Sequence, residues 1–482
     1  MSYDLVIRDA LILDGLGNEP FSGDVAVERD RIDRVGGAIP GESKVEIRGQ
    51  GAIVSPGFID VHTHDDRLVL VDPTVLPKLS QGVTTVVTGN CGISLAPMQH
   101  VGSPPAPLTL LGGSEHFRHT TFRGYLDEVR RFGIALNIVP FVGHTSLRVS
   151  AMANLEEVAT RAELDRMIVL LDEAMKSGAF GLSTGLYYPP ARAAAPVEIV
   201  TLLHLVSDYG GLITAHLRDE GDDLIPSIEE ALSFARTSGV PLVISHLKCA
   251  APGVWGRSAK VLNLLDKAAA HQEIAFDVYP YDASSTMLMS DPLGTARRVV
   301  VSWSEPYPNK AGQDLADIAS CWCCAPEEAA RRLSPGGGIY YKMQEDDVRR
   351  IVTHPRSMIG SDGLPHDTHP HPRLWGTFPR VLGRYVRELK LLTLPQAVRK
   401  MTSLPAAVFG LEDRGVLKEG AMADLTIFDD NLVIDEATYD RPLQPSIGIR
   451  SVVVNGGLVW SNGAPTRAMT GRVLRHQASE KT

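Results

Sequence analysis

The chain has 482 residues, 44% hydrophobic and 22% charged, with a formal net charge of −10. That length holds two to four domains, or one barrel of about 250 residues plus smaller additions. The acidic balance excludes a nucleic-acid binder, because no basic face is present to displace counterions from phosphates.

The first segment, "MSYDLVIRDALILDG", carries Asp4, Arg8 and Asp9 among its apolar residues. That is not the basic-then-apolar order of a secretory leader. No apolar run approaches the ~20 residues needed to span a bilayer. Five cysteines without framework spacing fit a reducing cytoplasm rather than a disulfide scaffold. Three of them, Cys321, Cys323 and Cys324 in "SCWCCAP", have no second Cys or His pair at zinc-finger spacing and read as plain thiols.

Both ends of the chain read as β structure. "DLVIRDALIL" and "DVAVERDRIDRV" open it; "ADLTIFD" and "SVVVNGGLVWSNG" close it, with Asn455–Gly456 as a hairpin signal. Neither set makes a comfortable core alone. The expectation is one small β-sandwich built from residues 1–57 and 411–482.

Between them, apolar β-prone runs alternate with helical stretches: "FIDVHTH", "VTTVVTGN", "ALNIVPFVGH", "AFGLSTGL", "GLITAH", "PLVISH", "IAFDVYPY" and "SMIGSD". Near-continuous apolar strands suit a parallel sheet covered on both faces. Eight of them with intervening helices give the count of a (β/α)8 TIM-type barrel over 58–410. A doubly wound open sheet has the same periodicity. The segment between Tyr281 and Ile359 is far longer than one connecting helix. Residues 286–347 therefore read as an inserted subdomain, which at the catalytic end of a barrel would form a lid or pocket wall.

The polar residues concentrate where those runs end. His62 and His64 close the first, Asn90 and Cys91 the second, His216 the fifth, His246 the sixth and Asp362 the last. The carboxyl ends of barrel strands share one face, where barrel enzymes carry their sites. Side chains at i and i+2 point to the same side, roughly 6.6 Å apart along a strand, so two imidazoles at a strand end can converge on one ion. A lone His is more often a hydrogen-bonded core residue, and a lone Cys a small buried hydrophobe. Six polar groups gathered without a counter-ion would be costly to bury. Imidazole, thiolate and carboxylate together suit zinc rather than Mg²⁺ or Ca²⁺. A catalytic zinc lowers the pKa of its water from 15.7 to about 7, and Asp362 is the candidate to take that water's proton.

The same motifs resemble the amidohydrolase superfamily and, within it, the N-acyl-D-amino acid deacylases. "PGFIDVHTHDD", "GNCGIS", "AHLRDEG", "SHLKCA" and "GSDGLPHDTHPHPRLWGTFPR" carry the likeness, which extends to "GVLKEGAMADLTIFD" near the end. The resemblance implies one zinc held tightly by Cys91, His216 and His246. A second, weaker position would use His62, His64 and Asp362, with Cys91 able to bridge. Many superfamily members bridge two metals with a carboxylated lysine at the end of strand four; here "GAFGLSTGLYYPP" has none. The implied reaction is hydrolysis of an N-acyl-D-amino acid to a carboxylate and a free D-amino acid, with metal-bound hydroxide as nucleophile and Asp362 as general base and acid. Lys248 and Arg373 would hold the substrate's α-carboxylate. Tyr279 and Ser285 would orient the substrate, and Tyr188 would touch the acyl group. His144, His366, His369 and His371 read as neighbouring residues rather than ligands. The rival readings are a cyclic amidase of the hydantoinase or dihydroorotase kind, a dipeptidase, and a non-catalytic scaffold on the same fold. The missing strand-four lysine and the "HPHPR" loop favour the deacylase. A scaffold would be expected to have lost ligands.

Overall fold

The computed structural model describes residues 2–289 and 293–476. Eight parallel strands form a ring in chain order: Phe58–Asp60, Val83–Thr88, Asn137–Pro140 continued by Val142–Gly143, Gly181–Gly185, Leu212–His216, Leu242–Ile244, Ile274–Val278 and Ser357–Ile359. The third strand is broken at Phe141. Its first part pairs with strand two and its second with strand four.

The apolar runs are nearly continuous because both faces of each strand are buried. Ile59, Val61, Val87, Val139, Phe180, Leu212, Val243 and Met358 fill the ring's interior. Their neighbours Phe58, Val86, Ile138, Leu182, Ile213 and Ile244 pack outward among helices. The helices begin and end as their sequences dictate. Arg161–Ser177 starts at a reciprocal Thr160–Glu163 capping box and stops at Gly178 in the left-handed region. Leu394–Met401 starts at the equivalent Thr393–Gln396 box.

The ring is thinnest at the seam between its first and last strands. One parallel bridge joins Thr63 and Gly363, and the Asp362 amide donates to the His62 carbonyl at 2.8 Å. Side chains supply the rest. Asp60 Oδ1 accepts from the Ser361 amide at 2.8 Å, while Lys78 Nζ donates to Asp60 Oδ2 at 2.9 Å and to Ser361 Oγ at 2.6 Å. Lys78 and Asp60 have no exposed surface. Asp65 lies 3.6 Å from the same ammonium, and burial lifts its carboxyl to about 6.

Both chain ends enter one nine-stranded sheet. Ser2–Ile12 pairs with Glu42–Arg48 over its first half and with Ile53–Pro56 at its end. A register shift between Ile7 and Ala10, with Asp9 at φ 52°, lets one strand serve two partners. Ile53–Pro56 also pairs antiparallel with Leu425–Phe428, where the two ends of the chain meet. Leu5, Ile7, Val25, Val27, Val54, Leu425 and Val453 share the enclosed core. A buried Arg414–Asp424 ion pair, with Asn455 and Asn137 bonded to it, ties this sheet to barrel strand three.

Between barrel strands seven and eight stands an antiparallel sheet of Ala283–Met287, Arg298–Ser304 and Gly336–Tyr341. Helices Leu315–Cys321 and Pro326–Leu333 cover it through their own apolar cluster. The sheet starts three residues before 286, and helix Glu345–Thr353 runs across the 347 boundary. Among the described residues, no helix is long and apolar enough to cross a membrane.

Lys78→Met strands two buried carboxylates at the seam. Removing one partner of a buried pair typically destabilises by about 3–5 kcal/mol, and that loss is expected in equilibrium denaturation. The Lys78→Met/Asp60→Asn double variant should lose less than the two single variants summed. Additive losses would show that the seam does not depend on the pair.

Candidate active site

Each of the six candidate ligands lies at or just past a strand end, and all are buried. His216 ends strand five, and His246 lies two residues past strand six. Cys91 and Asp362 each lie three residues past theirs. Cys91, His246 and Asp362 hold positive φ values of 54°, 36° and 50°. Non-glycine residues rarely adopt such angles, and those that do cluster at functional sites.

Cys91 Sγ is the hub. It lies 3.2 Å from His62 Nε2, 3.3 Å from His246 Nε2 and 3.4 Å from His216 Nδ1. The His246 and His216 nitrogens are 2.9 Å apart. Asp362 Oδ1 faces His64 Nε2 at 3.2 Å and His62 Nε2 at 3.5 Å. His62, Cys91, His246 and Asp362 offer ligand atoms within 4.8 Å of one another. Two nitrogens each about 2.05 Å from a tetrahedral zinc lie about 3.3 Å apart, and a nitrogen and a sulfur about 3.6 Å. The observed spacings are close to these, so the residues present fit such an ion.

The electrostatics point the same way. Burial opposes ionisation of the Cys91 thiol, yet the imidazoles of His62, His246 and His216 bring it well below its ordinary value. Burial likewise opposes charge on His64, but Asp362 and Cys91 raise it to about 9. Asp362 is pushed up by burial and brought well below the usual carboxylate range by Arg373, His62 and His246.

Two further carboxylates orient the imidazoles, and sequence reasoning missed both. Asp277 Oδ2 sits 3.2 Å from His62 Nδ1, and its Oδ1 accepts from the His246 amide at 2.9 Å. Glu220 Oε1 lies 2.9 Å from His246 Nδ1 and accepts from Lys248 Nζ at 2.6 Å. Such partners fix the ring orientation and basicity of a ligating histidine. A charged residue inside the apolar run "IAFDVYPY" was a usable signal for Asp277. Nothing in the loop "LRDEGDD" distinguished Glu220 from its acidic neighbours.

A cavity of about 730 Å³ opens onto this cluster, lined by His64, Cys91, His216, His246 and Asp362 together with Tyr188, Lys248, Tyr279 and Ser285. Ser284 and Ser285 present buried hydroxyls without a hydrogen bond among the described residues. The Tyr188 hydroxyl pairs with Thr286 Oγ1 at 2.8 Å, and its ring lies 5.1 Å from that of His216. Arg373 is placed differently from Lys248: it is fully buried and not on the cavity wall. Its Nη1 lies 2.9 Å from Asp362 Oδ2, its Nη2 donates to the Ser285 carbonyl at 3.1 Å, and its guanidinium stacks 4.5 Å over the Tyr279 ring.

The remaining histidines lie outside the cluster. His144 Nε2 bonds Glu198 at 2.7 Å, His369 Nε2 the Tyr439 carbonyl at 2.7 Å, and His371 Nε2 the Ala283 carbonyl at 3.1 Å. His366 is pushed down to about 3 by burial and the nearby Arg67. Cys321, Cys323 and Cys324 are free thiols on the inserted subdomain.

Comparison with known proteins gives this geometry a context. The amidohydrolase family model matches residues 49–258 and 295–460. The D-aminoacylase of Alcaligenes xylosoxydans xylosoxydans is 45% identical over 99% of this chain and 98% of its own length. The N-acyl-D-aspartate deacylase of the same organism is 46% identical over 98% and 95%. The crystal structure of N-acyl-D-glutamate deacylase from Bordetella bronchiseptica, in complex with zinc and a phosphonate inhibitor that mimics the tetrahedral intermediate, superposes with a TM-score of 0.95 at 43% identity, covering 98% of this chain and all of that one. The chain belongs to the amidohydrolase family.

Proposed function

We propose that this protein is a zinc-dependent N-acyl-D-amino acid deacylase, hydrolysing the amide bond of its substrate to a carboxylate and a free D-amino acid. The observation that carries the reading is the contact of Cys91 with His216 and His246 beside the Asp362 carboxylate, at one rim of the barrel. Near-full-length likeness to proteins named for this activity supports it.

Cys91, His216 and His246 would hold a tightly bound zinc; His62, His64 and Asp362 would form a weaker second position that shares Cys91. Zinc bound there would polarise the amide carbonyl and bring a water's pKa to about 7. Asp362 accepts the proton of the attacking water and returns it to the nitrogen of the leaving amine. Arg373 keeps that carboxylate ionised and aimed, because Asp362 Oδ2 is held at 2.9 Å while Oδ1 stays on the ligand side. Lys248, the free hydroxyls of Ser284 and Ser285, and Tyr279 line the wall on which the substrate's α-carboxylate would rest. Tyr188 stands over His216, where it would meet the acyl group.

Asp362→Asn should lower kcat by about 10²–10⁴-fold, the usual contribution of a positioned proton-transfer group. The tightly held zinc of Cys91, His216 and His246 should remain by mass spectrometry, whereas any metal at the weaker position that uses Asp362 should be lost. Wild-type turnover in that variant would remove Asp362 from the mechanism. Cys91→Ala should lose the tight metal, weakening affinity by more than the about 10- to 100-fold typical of losing an outer partner. A full zinc complement in that variant would exclude Cys91 as a ligand. The activity itself is tested by comparing N-acetyl-D-methionine, N-acetyl-L-methionine and a hydantoin; preferential opening of the hydantoin would replace this reading with a cyclic amidase.

A further inference from the structure

The relatives carry different substrate names at almost equal identity, so overall likeness does not choose the side chain this enzyme takes. The cavity wall does. Its charged residues fall into groups by their partners. Arg218 is paired through both its Nε and Nη2 with Glu230, at 2.9–3.1 Å. Glu220 is occupied by Lys248 and His246. Asp219 Oδ1 accepts from the Gly221 amide, and Asp222 and Asp223 lie exposed on the rim. Arg192 donates to the Tyr187 carbonyl. Lys342 differs from these other cations: its ammonium lines the cavity with no hydrogen bond or ion pair among the described residues.

Lys342 immediately follows Gly336–Tyr341, the central strand of the inserted sheet. Its backbone is anchored, because the Trp255 indole N–H donates to its carbonyl at 2.9 Å. On the neighbouring strand, Ser284 pairs with Tyr340 and Ala283 with Tyr341, which sets Lys342 beside the serines that line the same cavity. The charges acting on it are Glu220, Lys248 and Asp219, and Glu220 is already held by Lys248. Burial lowers its ammonium to about 8, so it is mainly charged at neutral pH and gains from an anion that replaces lost water. Lys248 is shared between Glu220 and, in the reading above, the substrate's α-carboxylate, which leaves Lys342 for a side-chain anion.

We infer that Lys342 is a specificity-determining residue that binds an acidic side chain of the substrate, so that the preferred substrates are N-acyl-D-glutamate or N-acyl-D-aspartate rather than N-acyl-D-amino acids with apolar side chains. This rests on the deacylase reading above and adds a second carboxylate to the substrate. A charge-assisted hydrogen bond in a partly dry pocket discriminates strongly, because the apolar competitor leaves the ammonium without a partner.

The test measures kcat/KM on N-acetyl-D-glutamate, N-acetyl-D-aspartate and N-acetyl-D-methionine with zinc-loaded wild type, Lys342→Met and Lys342→Arg. The expected wild type prefers an acidic substrate. The ratio of acidic to methionine kcat/KM should fall about 10- to 100-fold in Lys342→Met, and Lys342→Arg should retain most of it. A wild type that prefers N-acetyl-D-methionine would overturn the inference and leave the deacylase reading standing. So would an acidic preference that survives Lys342→Met, or an equal loss on all three substrates. No turnover of any of the three by wild type would instead defeat the deacylase reading on which the inference stands.

Discussion

Cys91 Sγ, nearly inaccessible to solvent, touches three imidazole nitrogens within 3.4 Å. A buried thiolate is expensive without positive charge around it, and the rest of the site is arranged to supply and hold that charge. His62 and His246 reach the sulfur because Asp277 grips one by its ring and the other by its backbone amide. His246 is fixed from its far side by Glu220, which Lys248 neutralises in turn. The chain around Cys91 is accommodated just as closely. A Cβ on Gly185, at the end of strand four, would stand 2.2 Å from the Cys91 carbonyl oxygen, and one on Gly143 would stand 2.4 Å from that of Gly92. The turn carrying Cys91 therefore occupies the space into which a side chain at the end of strand four would project.

The same constraint links stability to chemistry at the seam. His62 and Asp362 lie just past the first and last strands, which among the described residues meet at this height through the Thr63–Gly363 bridge, the Asp362 amide on the His62 carbonyl and the Ser361 hydroxyl on the same carbonyl. Their spacing is set lower down, where Lys78 joins Asp60 and Ser361. A displacement of either strand would open the 3.5 Å gap between His62 and Asp362. A buried charged group under the site is thus tied, through Asp60 and Ser361, to the two chain segments that carry His62 and Asp362.

What was legible in the sequence was whatever depends on position along a strand. Apolar runs covered on both faces announce parallel strands, and a polar residue at the end of such a run must lie on the ring's rim. That logic reached His62, His64, His216 and His246 directly, and Cys91 and Asp362 because their loops are short. It failed for groups whose direction is set by tertiary contacts. Glu220 lies four residues past His216 in a loop with no period. Lys78, in "TVLPKLSQG", looks like a surface lysine on a short helix, and only the closing of the ring reveals that it is fully buried. For Arg373 the resemblance implied a substrate contact; in the folded chain its guanidinium also reaches Asp362, because helix Arg373–Arg380 begins directly behind that carboxylate.

The inserted sheet divides labour with the barrel. The candidate ligands and Asp277 stand on, or within three residues of, strands whose both faces are packed, where geometry is held within narrow limits. Ser284 and Ser285 stand on, and Lys342 directly follows, strands of a sheet with its own separate core, joined to the rim through Arg373, which bonds the Ser285 carbonyl and Asp362. On the proposal above, the barrel rim carries the hydrolytic groups and the inserted wall carries the residue that selects the substrate's side chain. Lys342 would express that division: it follows the central strand of the inserted sheet, and its ammonium faces the shared cavity without a hydrogen bond or ion pair among the described residues.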